Sequence, residues 1–381
     1  MSSTARSAPP VGPGLLPLLA RLRDRDGDVF TVPGAGLHVA DPALAKAVLA
    51  NAGGDFAEHS DFFATATGFL APRQAQQRIA REARDLLAAY TAAHAADLPR
   101  LVGTHLAPGA AMPDAANRLL HEHLGPALLG PATAPAVRAV VAEVVTHAVL
   151  AGARQRRGRL RRALLRHRAY AALAAETTRR RADPAHDPAD LLDVVALALP
   201  DGYDPADAVD VFLSLLFATV GSTGFLLSWT LYLVGRHPDQ AGAPPAALVR
   251  EALRLWPVAW LFGRPVARAH DLGPVRVEPG QTVHVCAYLA HRHPGHWPEP
   301  DGFRPDRWRD GPHGAFLPFG FGAHACTGAA VATGLAADVV ALVLASYDVA
   351  VLDDGGQPQV GPALAPPPHR VRLTPRSGER R

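Results

Sequence analysis

The spacing of apolar and polar positions gives the chain a long helical middle with short β-like margins. Residues 29–40 gather Val, Phe and Thr around Pro33, Gly34 and Gly36, which predicts a short hairpin. Gly34-Ala-Gly36 is half of a dinucleotide-binding fingerprint, without its third glycine or a following helix start. From 41 to about 240, Ala, Leu and Arg recur at three- and four-residue spacing, a helical period divided by Pro72, Pro99, Pro113, Pro131, Pro184, Pro188, Pro205 and Pro238. The longest apolar stretch, 207–234, is hydrophobic nearly all round and predicts a helix through the interior, capped by Asp204-Pro-Ala-Asp207. A further helix runs from Pro245 to about Trp256, and β-like pieces follow at 275–277 and 282–287. A Pro/Trp/Arg-rich coil covers 291–314, a glycine-rich loop 316–328 leads into a helix reaching Ser346, and the tail is strand-like. With no internal repeat and no separating linker, 1–381 is expected to be a single domain, mainly α with a minor β portion. Its helix-rich core is placed at about 41–260 and 315–346, with β pieces near 29–40, 275–287 and 347–374.

Composition narrows the classes. At 381 residues, 48% hydrophobic and 19% charged, the chain can bury a large core and is not of disordered composition. No run approaches the roughly 18 uninterrupted apolar residues of a membrane span, and the first residues lack a basic segment followed by an apolar one. A soluble, cytoplasmic protein without a membrane role is therefore expected. Two cysteines, Cys286 and Cys326, exclude a disulfide framework and a multi-cysteine zinc or iron–sulfur site. Lys46 is the only lysine among 38 basic residues, and a net charge of +3 is too small to imply nucleic-acid binding.

The chemistry concentrates in Phe319-Gly-Phe-Gly322-Ala-His324-Ala-Cys326-Thr-Gly328. A cysteine between glycines, at a loop end and a helix start, meets backbone N–H groups that favour thiolate. Such a thiolate suits a single axial bond to a flat iron cofactor, because glycines let the backbone approach closely. A buried structural cysteine in a glycine loop is the plainer alternative.

The whole string resembles the haem-binding loop of cytochromes P450, with Phe319, Gly322, Cys326 and Gly328 at each of its defining positions. The resemblance implies a soluble bacterial-type P450 fold and haem b, with Cys326 as the proximal thiolate and iron ligand. It also implies His324 and Arg264 as propionate partners, and Phe319 as the aromatic beside the sulfur. Glu251-Ala-Leu-Arg254 followed by Arg307 in Phe303-Arg-Pro-Asp-Arg307-Trp308 is similar to the family's structural Glu–Arg–Arg triad. Arg78 resembles a further propionate arginine, with Arg73 and Arg81 as alternatives. Phe62, Phe63, Phe217, Ala218, Trp260 and Phe262 fall in segments that resemble substrate-lining ones, although each aromatic could equally be core.

Resemblance to the distal helix sets Ala218-Thr-Val-Gly221-Ser222-Thr223 where the family usually carries an acid followed by threonine. Gly221 replaces the carboxylate and Ser222 the threonine, so the usual proton route to dioxygen is altered. After the cysteine, Thr333 and Leu335 stand where Arg and Glu are common, on the segment expected to meet an electron donor. The basic run 153–168 (Arg154, Arg156, Arg157, Arg159, Arg161, Arg162, Arg166, Arg168) reads as a solvated helix face or as a dock for an acidic carrier protein. Three functions remain open. The first is a P450 that oxidises or couples a small specialised metabolite with a separate ferredoxin or flavodoxin-type donor. The second is a haem-thiolate enzyme that bypasses dioxygen, using peroxide or transferring an oxene or nitrene from a substrate with an activated oxygen or nitrogen. The third is a non-catalytic haem binder.

Overall fold

The computed structural model describes Gly12 and residues 14–376, apart from 59, 66–67, 71, 150–157, 184–186, 312 and 354–355. It is 55% helix and 15% strand, the mainly α composition expected. Two compact units share the chain, each assembled from separated stretches. The first takes Met1–His59, Tyr232–Cys326 and Gly355–Pro367, and the second takes Ser60–Leu231, Thr327–Asp354 and Pro368–Arg381.

A four-stranded sheet organises the first unit, in the order Val29–Val32, Gly36–Val39, Thr282–Cys286, Leu261–Pro265. The first pair is the expected hairpin, the middle pair is parallel and the last antiparallel. Gly36 has φ +83°, and a Cβ there would lie 3.0 Å from the Thr282 carbonyl oxygen, so the close parallel approach calls for glycine. Side chains alternate across the sheet. Val39, Val283 and Val285 pack with Val48 and Leu49 of the helix Pro42–Ala50, whose first turn is capped by Asp41 accepting from Leu44 N–H. Phe30, Val32 and Cys286 pack instead with Leu15, Leu16 and Leu19 of the helix Leu15–Asp26. The strand Leu261–Pro265 was not legible in the sequence, because Gly263 and Pro265 break its β pattern and only pairing with Thr282–Cys286 specifies it.

In the second unit the helices Arg73–Ala93, Asp114–Leu128, Arg159–Arg181, Leu191–Ala198 and Ala329–Ser346 accompany a three-stranded sheet of Ala110–Met112, His369–Pro375 and Tyr347–Asp353. The interior helix expected at 207–234 is a 32-residue helical run, Pro205–Arg236, with a π-helical turn at Phe217–Ser222 in its middle. Asp204 caps it through Ala206 N–H, as the sequence suggests. This run and Ala329–Ser346 are long and apolar enough to span a membrane, which corrects the expectation that nothing in the chain is. Most of the first lies buried in the protein. Of the basic run, Arg154, Arg156 and Arg157 lie outside the described residues, whereas Arg161, Arg162, Arg166 and Arg168 are exposed along the helix Arg159–Arg181.

One buried base ties the first unit's sheet to pH. His38 is fully buried, 4.9 Å between ring centroids from His284, and burial beside that second imidazole pushes it down to about 4. Between about 4 and the ordinary 6.5 the unfolded chain therefore binds the extra proton and the folded chain does not. Stability should fall as pH drops through that window, by on the order of 3 kcal/mol from this residue. Urea unfolding of wild type and His38→Phe at several pH values checks it: the variant should show the shallower pH dependence, and equal slopes would refute it.

Candidate functional site

Glu251 sits on the helix Pro245–Leu255, a turn before Arg254, and both are completely buried. Its carboxylate takes five donors. Oε1 accepts from Arg254 Nη2 (2.8 Å), Arg304 N (2.9 Å) and Arg307 Nε (3.0 Å), and Oε2 from Arg254 Nε and Trp308 Nε1 (3.0 Å each). The guanidinium of Arg254 reaches on to the carbonyls of His291 (3.0 Å), Pro300 (2.6 Å) and Gly302 (2.7 Å). The expected triad is thus formed, and it grips three points of the coil 291–314. Trp308 and the Arg304 amide were not foreseen as members; they join because the coil folds back onto the helix, which no local pattern encodes.

His291 continues the bracing. Its Nδ1 lies 3.2 Å from the Arg254 carbonyl, and its Nε2 accepts from Leu317 N–H at 2.7 Å. Burial, with Arg254 and Arg292 nearby, pushes it down to about 3, so the ring is neutral with the proton on Nδ1. Leu317 opens the cysteine loop. There Gly320 and Gly322 have φ of +73° and +76°, and a Cβ on Gly322 would lie 2.8 Å from Ala50 Cα. Cys326 N–H donates to the Phe319 carbonyl at 2.9 Å and Ala325 N–H to that of Gly322 at 3.1 Å, closing the loop on itself. Cys326 is exposed at its end, with Gly328 just ahead of the helix Ala329–Ser346. Cys286 is fully buried, and burial pushes its thiol up to about 12, which makes it inert.

Other candidates divide between the units. In the first, Arg264 is buried on Leu261–Pro265 and donates to the Gly263 carbonyl at 3.0 Å, while Phe262 packs beside Gly320. His324 Nε2 is 2.7 Å from the Glu58 carboxylate. Trp260 is core rather than pocket, 1% exposed with its indole N–H on the Gly361 carbonyl. In the second, Arg78 is engaged by Glu82 (2.8 Å) and the Leu197 carbonyl (3.2 Å), and Phe62 and Phe63 meet edge to face. Phe217, Ala218 and Ser222 are half-buried on the π turn, whereas Gly221 and Thr223 are buried, with Thr223 Oγ1 on the Ala218 carbonyl at 3.3 Å. Nearby Asn117, which carried no sequence signal, donates to the carbonyls of Val220 and Gly221.

The first unit's donor set fits a haem: an exposed thiol carried on a glycine-bent backbone suits iron, and a buried guanidinium suits a carboxylate. Residues 246–374 match the family model described as Cytochrome P450. The chain is 34% identical over 147 residues to Cyclooctatin synthase of Streptomyces melanosporofaciens, covering 31% of this chain and 32% of that protein. It is 29% identical over 192 residues to Pentalenene oxygenase of Streptomyces avermitilis, 43% of each. These matches span about a third to under half of the relatives' length. The solved structure of the open, histidine-tagged cytochrome P450 EryK from S. erythraea superposes with a TM-score of 0.72 at 21% identity, covering 97% of this chain and 98% of that one. A zebra fish cytochrome P450 with abiraterone gives 0.74 at 20% identity, covering 97% and 100%. The chain thus has the cytochrome P450 fold, and its residues 246–374, which carry the cysteine loop, match that family.

The bracing network has a measurable cost of removal. Glu251→Ala leaves Arg254 buried without its carboxylate, a loss of about 3–5 kcal/mol. Little soluble, haem-loaded protein should be recovered; stable and fully loaded Glu251→Ala protein would contradict the assigned role.

Proposed function

We propose that the protein is a haem-thiolate oxygenase acting on a small specialised-metabolite intermediate. The observation that carries this is the exposed Cys326 at the end of a loop fixed by Gly320, Gly322, His291 and the buried Glu251–Arg254–Arg307 network. The names of the relatives Cyclooctatin synthase and Pentalenene oxygenase support the substrate class. Bound haem b supplies electron transfer and oxygen activation. Cys326 holds the iron through its thiolate, with Phe319, Gly322 and Gly328 shaping its loop. Arg264 and His324 hold propionates, and Arg78 is a further propionate arginine, with Arg73 or Arg81 as alternatives. Phe62, Phe63, Phe217, Ala218 and Phe262 line the substrate side. Residues 1–381 act as a single P450 domain, in the cytoplasm, with electrons from a separate ferredoxin or flavodoxin-type protein. The exposed arginines 161, 162, 166 and 168 suit an acidic carrier protein.

A second reading rests on the π turn. Phe217-Ala-Thr-Val-Gly-Ser222 contains no carboxylate, and the buried hydroxyl of Thr223 donates to Ala218. Refilling a proton relay from solvent ordinarily uses a carboxylate. Chemistry that starts from peroxide, or from an already activated oxygen or nitrogen on the substrate, tolerates its loss. A third role, haem binding without catalysis, predicts no spectral shift with candidate substrates.

Two experiments decide. The reduced carbon monoxide complex should show the strongly red-shifted Soret band of thiolate-ligated haem; Cys326→His should lose it and Cys286→Ala keep it. A Cys326→His protein that retains the band removes the basis of the assignment. The double variant Gly221→Glu/Ser222→Thr should raise product per reducing equivalent if the native reaction is donor-driven oxygenation. It should leave the rate unchanged or lower if that reaction bypasses dioxygen. Tight coupling in the unmodified enzyme, with a substrate bearing no hydroxyl near the reacting carbon, would exclude the second reading.

A further inference from the structure

The π turn at Phe217–Ser222 has a partner that the family pattern does not supply. An α-helix satisfies each carbonyl with the N–H four residues on, and a π turn shifts that register and leaves carbonyls needing another donor. Here the Val220 carbonyl accepts the Thr223 N–H, and one side chain adds a donor to it and to the Gly221 carbonyl. Asn117, fully buried on the helix Asp114–Leu128, points its Nδ2 at Val220 O (2.8 Å) and Gly221 O (3.1 Å). Its two amide hydrogens match the two adjacent carbonyls. A carbonyl oxygen has two lone pairs, so the amide adds to the backbone bond at Val220 rather than replacing it.

Gly224 completes the fit. A Cβ there would lie 2.4 Å from Asn117 Nδ2, 2.8 Å from its Cγ and 3.1 Å from its backbone Cα, so the amide reaches Val220 and Gly221 only past a residue without a side chain. Thr223 Oγ1 on Ala218 O and Thr219 Oγ1 on Leu215 O tie the same turn from within.

We propose that Asn117 is a positioning residue: its amide holds Phe217–Ser222 in π register and so sets where Ala218, Gly221 and Ser222 present their backbone and hydroxyl groups, on the face of the turn that the P450 reading assigns to the distal side. This rests on the P450 reading given above. With no carboxylate in the turn, backbone geometry and hydroxyls carry what polarity that segment offers, and Asn117 fixes both.

Hydrogen exchange and carbon monoxide, as the probe, test it on the haem-loaded protein. Asn117→Asp keeps the shape but sets an acceptor against two carbonyls, and Asn117→Ser keeps one donor should the aspartate variant fold poorly. Amides 221–226 should exchange about tenfold faster in these variants, the factor carried by one lost buried hydrogen bond. Haem content and the thiolate-type Soret band should persist. The infrared C–O stretching band of the reduced carbon monoxide complex should shift or split, and Gly224→Ala should change it in the same direction. Exchange unchanged at 221–226 overturns the clamp, and faster exchange with an unmoved C–O band overturns the positioning role. Absence of the thiolate band from the unmodified protein would instead overturn the P450 reading, while exchange still decides whether Asn117 holds the turn.

Discussion

One buried carboxylate organises the cysteine end of this protein. Glu251 satisfies five donors with two oxygens, and those donors come from its own helix and from the coil that precedes the cysteine loop. A charge so deeply buried is tolerated only when fully paired, which makes the network all-or-none. Because Arg254 also holds carbonyls of residues 291, 300 and 302, an irregular coil without a ladder of its own acquires a fixed path. His291 passes that order to Leu317, and Gly322 lets the next turn lie against Ala50. Cys326 is therefore presented by a chain of constraints that begins 75 residues earlier, at Glu251.

The same logic separates the two thiols. Cys286 is packed into the sheet's apolar core, where desolvation suppresses thiolate and with it any ligand chemistry. Cys326 escapes that fate because positive-φ glycines turn its loop outward rather than into a core. Burial gives Cys286 a structural role and leaves Cys326 the accessible thiol.

A second constraint acts on the long apolar helix. Its middle departs from α geometry, and such departures persist only where something outside the helix satisfies the displaced groups. Asn117 does so from the neighbouring helix, while Thr219 and Thr223 tie the turn from within. At Gly221, which has no side chain, the backbone carbonyl is the polar group engaged.

By itself the sequence determined the helical period of 41–240, the hairpin at 29–40, the Asp204 cap and the cysteine loop, because each is written in neighbouring residues. It also named Glu251, Arg254 and Arg307, through resemblance rather than spacing. Tertiary structure alone decided the rest. The strand Leu261–Pro265 exists because Thr282–Cys286 lies beside it, and Trp260 became core because Leu15, Leu16 and Leu19 cover that face. An apolar run of 28 expected helical residues gave no hint of its π turn, since composition reports burial and not hydrogen-bond register. Trp308, Arg304, His291 and Asn117 act through partners between 26 and 104 positions away. Local pattern holds no record of contacts at that separation; they are fixed only when buried polar groups compete for partners across the folded chain.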